Sequence, residues 1–190
     1  MFKFFAVLAR LKYIDRWVLM RSVRRENVCE HSHQTAVLAH ALAKIGRDRF
    51  GAGVDPDKAA VIALYHDATE IITGDLPTPI KHNTVIEKSY GQMEDGAKQI
   101  LLKKLPEDMK PEYTSILYAE EEFPEEYRYV KAADVLSAYI KCTEELSAGN
   151  REFAVAEKTI AQKLKTMDLP ALKYFEEEFL PAFSRTVDEQ

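Results

Sequence analysis

Apolar residues recur at helical spacing along almost the whole chain, and no segment shows a clean two-residue alternation with strand chemistry. That pattern leaves an all-α fold as the expectation. Phe2, Phe5, Ala6 and Ala9 mark a first helix. Residues 12–26 have no clear period and read as a loop. Asn27 with Glu30 three residues on resembles a capping box. From there His31, Thr35, Leu38, Leu42 and Ile45 share one face, and Gly46 supplies a stop. Asp55 and Pro56 open another helix as N-cap and first helical residue. Its inner face runs Ala59, Ala63, His66, Asp67 and Glu70. Residues 73–79, with one glycine and two prolines, read as turn. Met93, Ala97, Ile100 and Leu101 mark a helix ending near Pro106, and a short one surrounds Tyr113, Ile116 and Leu117. Residues 127–147 are long and periodic, closed by Gly149 and Asn150. Two further stripes are Phe153, Ala156, Ile160 and Leu164, then Leu172, Phe175, Phe179 and Phe183. The expected architecture is one domain over residues 1–190, a bundle of about seven or eight helices.

A chain of 190 residues can bury such a core without staples. No apolar run approaches the ~18 residues that would span a bilayer. The N-terminal apolar stretch lacks a basic region before it and a small-residue cleavage site after it, so it reads as a helix and not a signal peptide. Cys29 and Cys142 are the two cysteines, too few for a disulfide framework, and a reducing cytoplasmic setting is expected. The net charge of −5 argues against a nucleic-acid polymer as partner. Charge is nevertheless uneven. Arg10, Lys12, Arg16, Arg21, Arg24 and Arg25 fall in a stretch whose single acid is Asp15. This is either a solvated basic face or a local pocket for a small anion.

The chemistry starts from His66-Asp67. An isolated doublet of this kind is most simply a surface pair. Here it shares a face with Ala59 and Ala63 and so points inward. An ionised Asp buried without a partner costs several kcal/mol, and a divalent cation removes that cost. His31 sits on the inner stripe of an earlier helix. Asp134 lies four residues from both Val130 and Ala138 on the apolar stripe of a later one, where a charge calls for a partner. Two imidazoles and two carboxylates from three helices can converge in a bundle. A mixed nitrogen and oxygen set without thiolate suits Mn²⁺, Co²⁺, Fe²⁺ or Zn²⁺. A six-coordinate ion would keep positions for water and a substrate oxygen, as hydrolysis needs. Glu70 follows Asp67 by three residues and His66 by four, a placement that suits a carboxylate handling the proton of a metal-activated water.

Read in order, His31, His66-Asp67 and Asp134 resemble the ligand signature of the HD superfamily of metal-dependent phosphohydrolases. The wider text narrows the resemblance. Arg16-Trp17, Glu26-Asn27-Val28, Glu30-His31-Ser32, Tyr65-His66-Asp67-Ala68, Glu70, the run Thr73-Gly74-Asp75-Leu76-Pro77-Thr78-Pro79, Lys131-Ala132-Ala133-Asp134, Glu144-Glu145-Leu146 and Ala148-Gly149-Asn150 are similar to the bacterial HD-domain 5′-deoxynucleotidases. The likeness runs from Phe5 to about Phe183, and the run at 73–79 is its most specific part.

The resemblance implies an all-helical, cytoplasmic homodimer. Such an enzyme removes phosphate from deoxyribonucleoside 5′-monophosphates with little regard for the base. It implies one divalent transition ion, cobalt or manganese, with zinc, iron or copper as alternatives. Carried over by position, the metal ligands are His31, His66, Asp67 and Asp134, and Glu70 is the catalytic glutamate. Arg16 orients phosphate, Trp17 reads the sugar, and Asp75, Leu76, Pro77 and Thr78 line the sugar side. His31, Asp67 and Asp134 also border the substrate. His33 stands where the family more often has an apolar residue, but it lies about 200° around the helix from His31 and is left out of the site, as are His40 and His82. Thr69 replaces a more usual Ser. Other readings are a small HD phosphohydrolase for a different phosphomonoester or a nucleoside triphosphate, and a non-catalytic nucleotide-binding HD module. A bare helical interaction domain would leave four inward polar residues without a purpose.

Overall fold

The computed structural model describes residues 1–77 and 84–189, and their regular structure is helical throughout. The long helix α2, Val28–Phe50, starts where Asn27 adopts an extended backbone and accepts the Glu30 N–H at 3.0 Å. This is the expected cap. Helix α3, Pro56–Tyr65, starts on Asp55, whose carboxylate accepts the N–H groups of Asp57 and Lys58. A one-turn helix α4, Glu70–Thr73, ends at Gly74, which has a φ of 73°. Then come α5, Thr84–Leu102, and α6, Lys110–Leu117, followed by the one-turn α7, Ala119–Glu122. The second long helix α8, Pro124–Ser147, is followed by α9, Ala154–Thr166, and α10, Pro170–Glu178. The chain opens with a short α1, Phe4–Leu8. Among the described residues there is no strand, only one isolated bridge between Asp15 and Asn27.

Helices α2, α3 and α8 pack against one another, with α10 on α2 and α9 on α8. Leu42, Ile62, Val130, Leu136, Ile140, Leu164 and Leu172 fill the resulting core and are almost fully buried. Burying one such side chain is worth about 1.5–3 kcal/mol. A smaller apolar cluster of Phe4, Ala68, Leu101, Leu102, Leu105 and Leu117 sits under the turn that follows α3. The candidate site residues are thus presented by α2, by the turn after α3 and by α8, elements that pack on one another.

Four details depart from the sequence expectation. Ten helical segments stand among the described residues: the eight expected are all present, and the one-turn pieces α4 and α7, too short to show a period, are added to them. Gly46 does not stop α2; the helix continues to Phe50 and turns at Gly51, φ 68°. Gly46 is small because the Tyr129 ring crosses α2 there, and a Cβ would meet its ring carbons at 2.8 Å. His66 and Asp67 lie just beyond the last residue of α3, in a turn closed by Ala68 N–H to Tyr65 and Glu70 N–H to Asp67, both 3.0 Å. Two stripes are also rotated. Phe4 is buried in α1 while Phe2 and Phe5 face out, and in α5 Tyr90, Ala97, Leu101 and Leu102 are buried while Met93 and Ile100 are exposed. The stripe on α10 ends at Phe175, with Phe179 half exposed.

Candidate active site

His31 comes from the first turn of α2, Asp134 from the middle of α8, and His66-Asp67 from the turn after α3. Nε2 of His31 is 3.1 Å from Oδ1 of Asp134 and 3.5 Å from Oδ2 of Asp67. Nε2 of His66 is 3.2 Å from the same Asp67 oxygen and 3.9 Å from Asp134 Oδ1. Donor atoms of His31, His66 and Asp134 all lie within 4.8 Å of one another. The structure therefore brings all four sequence-predicted ligands together. His33 and His40 are exposed and stand apart, as expected, and His82 lies outside the described residues.

The hydrogen bonds behind the two imidazoles fix their tautomers. Nδ1–H of His66 donates to the carbonyl of Ala63 at 2.6 Å. Its Nε2 therefore carries a lone pair, is buried, and has no hydrogen-bond partner. Nδ1 of His31 is 3.2 Å from Ser137 Oγ, whose own proton goes to Gln34 Oε1 at 2.7 Å. Ser137 must then accept from His31, which leaves the lone pair on Nε2 facing Asp134. Two lone pairs and two carboxylates converging on one point repel unless a cation or extra protons sit among them. Burial works against charging His66, but Asp67 and Asp134 outweigh it and raise its affinity for a proton. Burial likewise opposes ionisation of Asp67 and Asp134; protonated imidazoles, with Arg16 beside Asp67, hold both well below the usual carboxylate range, in the place a divalent cation would take. The donor set fits a divalent ion. Nε2 of each ring is presented inward, its other nitrogen is held by a hydrogen bond, and carboxylate oxygens supply the charge.

Arg16 borders this centre. Its Nη1 is 3.3 Å from Asp67 Oδ2, and its Nε donates to Glu26 Oε2 at 3.2 Å. Burial disfavours the guanidinium, but Asp67, Asp134, Asp75 and Glu26 keep it firmly charged. Trp17 beside it has φ 58°, a left-handed backbone that non-glycine residues seldom adopt. Its Nε1–H donates to Glu26 Oε2 at 3.0 Å, and its ring packs on Phe153 with centroids 5.3 Å apart. Glu70 opens α4 and is buried, one turn beyond Asp67. Asp75, Leu76 and Pro77 follow Gly74 and are half-buried; Thr78 lies outside the described residues. A cleft of about 110 Å³ reaches His66 and Thr69 between Glu94, Lys98 and Tyr127. Sequence reasoning missed the parts played by Glu26, Ser137 and Gln34. Glu26 enters the sequence reading only within the motif Glu26-Asn27-Val28, and Ser137 and Gln34 are not singled out, because no local pattern signals contacts across 10 or 103 residues.

An all-α scaffold that brings two histidines and two aspartates from three elements to one point has the architecture of an HD-domain phosphohydrolase. An HD-domain phosphohydrolase from Listeria innocua has the same fold, with a TM-score of 0.82 at 22% identity over 95% of this chain and 88% of that one. So does the cyanophage S-2L HD phosphohydrolase solved with dA and one catalytic Zn²⁺, with a TM-score of 0.65 at 19% identity over 95% and 96% of the two chains. The sequence is more specific. Residues 3–183 match the family described as 5′-deoxynucleotidase YfbR-like, and the chain belongs to that family. A 5′-deoxynucleotidase of Vibrio vulnificus is 48% identical over 98% of this chain and 96% of its own. One from Photorhabdus temperata is 48% identical over 98% and 95%.

Proposed function

We propose that this chain hydrolyses deoxyribonucleoside 5′-monophosphates to the deoxyribonucleoside and inorganic phosphate, with one divalent transition ion held by His31, His66, Asp67 and Asp134. The observation that carries the reading is the convergence of two tautomer-fixed Nε2 atoms on two carboxylates, with a buried guanidinium 3.3 Å from one of them. Full-length relatives named 5′-deoxynucleotidase supply the substrate class.

When bound, the ion supplies Lewis-acid activation of water near neutral pH. The chain's own residues do the rest. Arg16 binds phosphate oxygens with its planar fork and offsets charge that builds on phosphorus in the transition state. Glu70 takes the proton of the attacking water and returns it to the leaving O5′. Asp75 accepts a sugar hydroxyl, and Leu76, Pro77 and Thr78 line the sugar side. Trp17 fills the space beside C2′ and penalises a 2′-hydroxyl.

The same reading takes cobalt or manganese as the ion, from the mixed nitrogen and oxygen donors. It takes residues 1–190 as one domain that works as a homodimer in the cytoplasm, as the family resemblance implies. No helix among the described residues is long and apolar enough to cross a membrane. Phosphate release from paired ribo- and deoxyribonucleotides with cobalt, manganese, zinc and magnesium tests the activity. Inorganic phosphate from monophosphates supports it; tripolyphosphate from triphosphates replaces it with a different phosphohydrolase. Light scattering on the eluted protein tests the dimer.

A further inference from the structure

We infer that Glu26 is the positioning residue that sets the phosphate-facing and sugar-facing side chains together, through a single carboxylate oxygen. This rests on the roles proposed above for Arg16 and Trp17. Oε2 of Glu26 accepts from Arg16 Nε at 3.2 Å and from Trp17 Nε1 at 3.0 Å. Neither donor is redundant. Arg16 and Trp17 are adjacent in the chain, and consecutive side chains ordinarily diverge. The left-handed backbone at Trp17 brings the indole round to the same acceptor. An unfavourable backbone conformation of this kind persists only where surrounding contacts hold it.

The base of the loop is fixed independently of this carboxylate. Val28 N–H bonds the Ile14 carbonyl at 3.0 Å, and Arg16 N–H bonds the Glu26 carbonyl at 2.9 Å. The far side is fixed as well. Glu145 accepts the N–H groups of Val23 and Arg24, Lys141 donates to the Arg24 carbonyl, and Asn150 donates to the Arg21 carbonyl. Removing the Glu26 carboxylate therefore leaves the loop anchored at both ends and frees only the two side chains it holds. The existing contact of Arg16 Nη1 with Asp67 Oδ2, 3.3 Å, is then no longer opposed by Glu26 on the Nε side, and the guanidinium is expected to lose its orientation toward phosphate. Trp17 loses its tether and relaxes from the left-handed region. Phosphate binding and exclusion of ribose should fail together.

Trp17 is the single tryptophan, so tryptophan emission reports on the surroundings of its indole, which donates to Glu26 and packs on Phe153. The experiment compares wild type, E26A, E26Q, W17A and the double variant W17A/E26A, each with cobalt content measured. Three quantities are read: kcat/KM for dAMP and for AMP in all five proteins, and acrylamide quenching of tryptophan emission in wild type, E26A and E26Q, which keep Trp17. We expect E26A to keep its cobalt and to become more quenchable. It should lose activity on both substrates and drop the dAMP/AMP ratio by roughly tenfold or more, the scale on which a pocket rejects an added hydroxyl. E26Q keeps one acceptor oxygen and should fall between. The double variant should show the ratio of W17A alone, because both changes remove the same constraint. A merely structural role would lower both rates by one factor and leave the ratio intact; that result, or quenching equal to wild type, overturns the inference. If W17A itself leaves the ratio unchanged, the sugar-reading role of Trp17 fails instead, and the quenching of E26A decides the positioning claim alone.

Discussion

The hydroxyl of Ser137 lies 3.2 Å from Nδ1 of His31 and hands its own proton to Gln34, so the imidazole can only donate to it. His31 is fully buried; Thr35 Oγ1 lies 3.5 Å from both ring nitrogens, and the shorter Ser137 contact is the one that distinguishes Nδ1 from the Nε2 facing Asp134. Such outer hydrogen bonds typically contribute 10- to 100-fold in metal affinity. S137A should weaken the activating ion by about that factor while turnover at saturating ion stays near wild type. A metal titration of activity checks this, and an unshifted midpoint would show that Ser137 does not orient His31.

Glu70 is buried one turn beyond Asp67. If it carries protons, E70A should hold its ion and still bind dAMP, while turnover falls by about 10²–10⁴. Metal content and nucleotide binding measured beside kcat separate this from simple loss of the site. Near-normal turnover would remove Glu70 from the mechanism.

Arg16 and Trp17 should separate cleanly in kinetics although they share an acceptor. On the phosphate-binding role proposed for Arg16, R16A should depress both kcat/KM values alike, because ribo- and deoxyribonucleotides carry the same phosphate. W17A should raise AMP turnover relative to dAMP whatever the base. Equal losses on both substrates in W17A would make the indole an anchor on Phe153, with which it already packs.

Lys141 and Glu145 form a buried ion pair inside α8 that fastens residues 21–24. Removing one partner leaves the other buried and unpaired, so E145A should cost about 3–5 kcal/mol of stability. Burial pushes the Glu145 carboxyl up, but Lys141, the N–H groups of Val23 and Arg24, and Asn150 outweigh it and hold it at about 2, against an ordinary 4.5. The folded value is the depressed one. The carboxylate's stabilisation is therefore complete above about pH 4.5 and drains away as pH falls toward about 2. Urea midpoints of wild type and E145Q, followed downward from neutral pH, should differ by a constant gap that narrows below about pH 4.5. A gap that widens on acidification would contradict the assignment.

The helical class and the convergence of His31, His66, Asp67 and Asp134 were legible because each rests on local pattern. The stripe of His31, Thr35, Leu38 and Leu42 is buried as periodicity requires. Asp134 is a charge set between apolar helical neighbours. What escaped the sequence depends on contacts between distant segments. Gly46 reads locally as a helix stop, yet its size is set by Tyr129 of another helix. His66 and Asp67 extend the α3 stripe in sequence while the backbone has already left the helix. Glu26 stands in the sequence only as part of the motif Glu26-Asn27-Val28, with no role of its own. Its role depends on a loop whose ends pair through Ile14 and Val28 and on a tryptophan backbone that no propensity favours.

The central claim is that one divalent ion at His31, His66, Asp67 and Asp134 makes this chain a phosphatase for deoxyribonucleoside monophosphates. The most direct measurement follows phosphate release from dAMP and AMP by exhaustively chelated wild-type protein during stepwise return of cobalt, with H66A and D67A alongside. The account predicts no release from the chelated protein. Activity should return in proportion to ion bound and saturate at one per chain, with dAMP favoured over AMP. H66A and D67A should neither retain the ion nor release phosphate. Full activity after chelation, or undiminished activity in either variant, would contradict it.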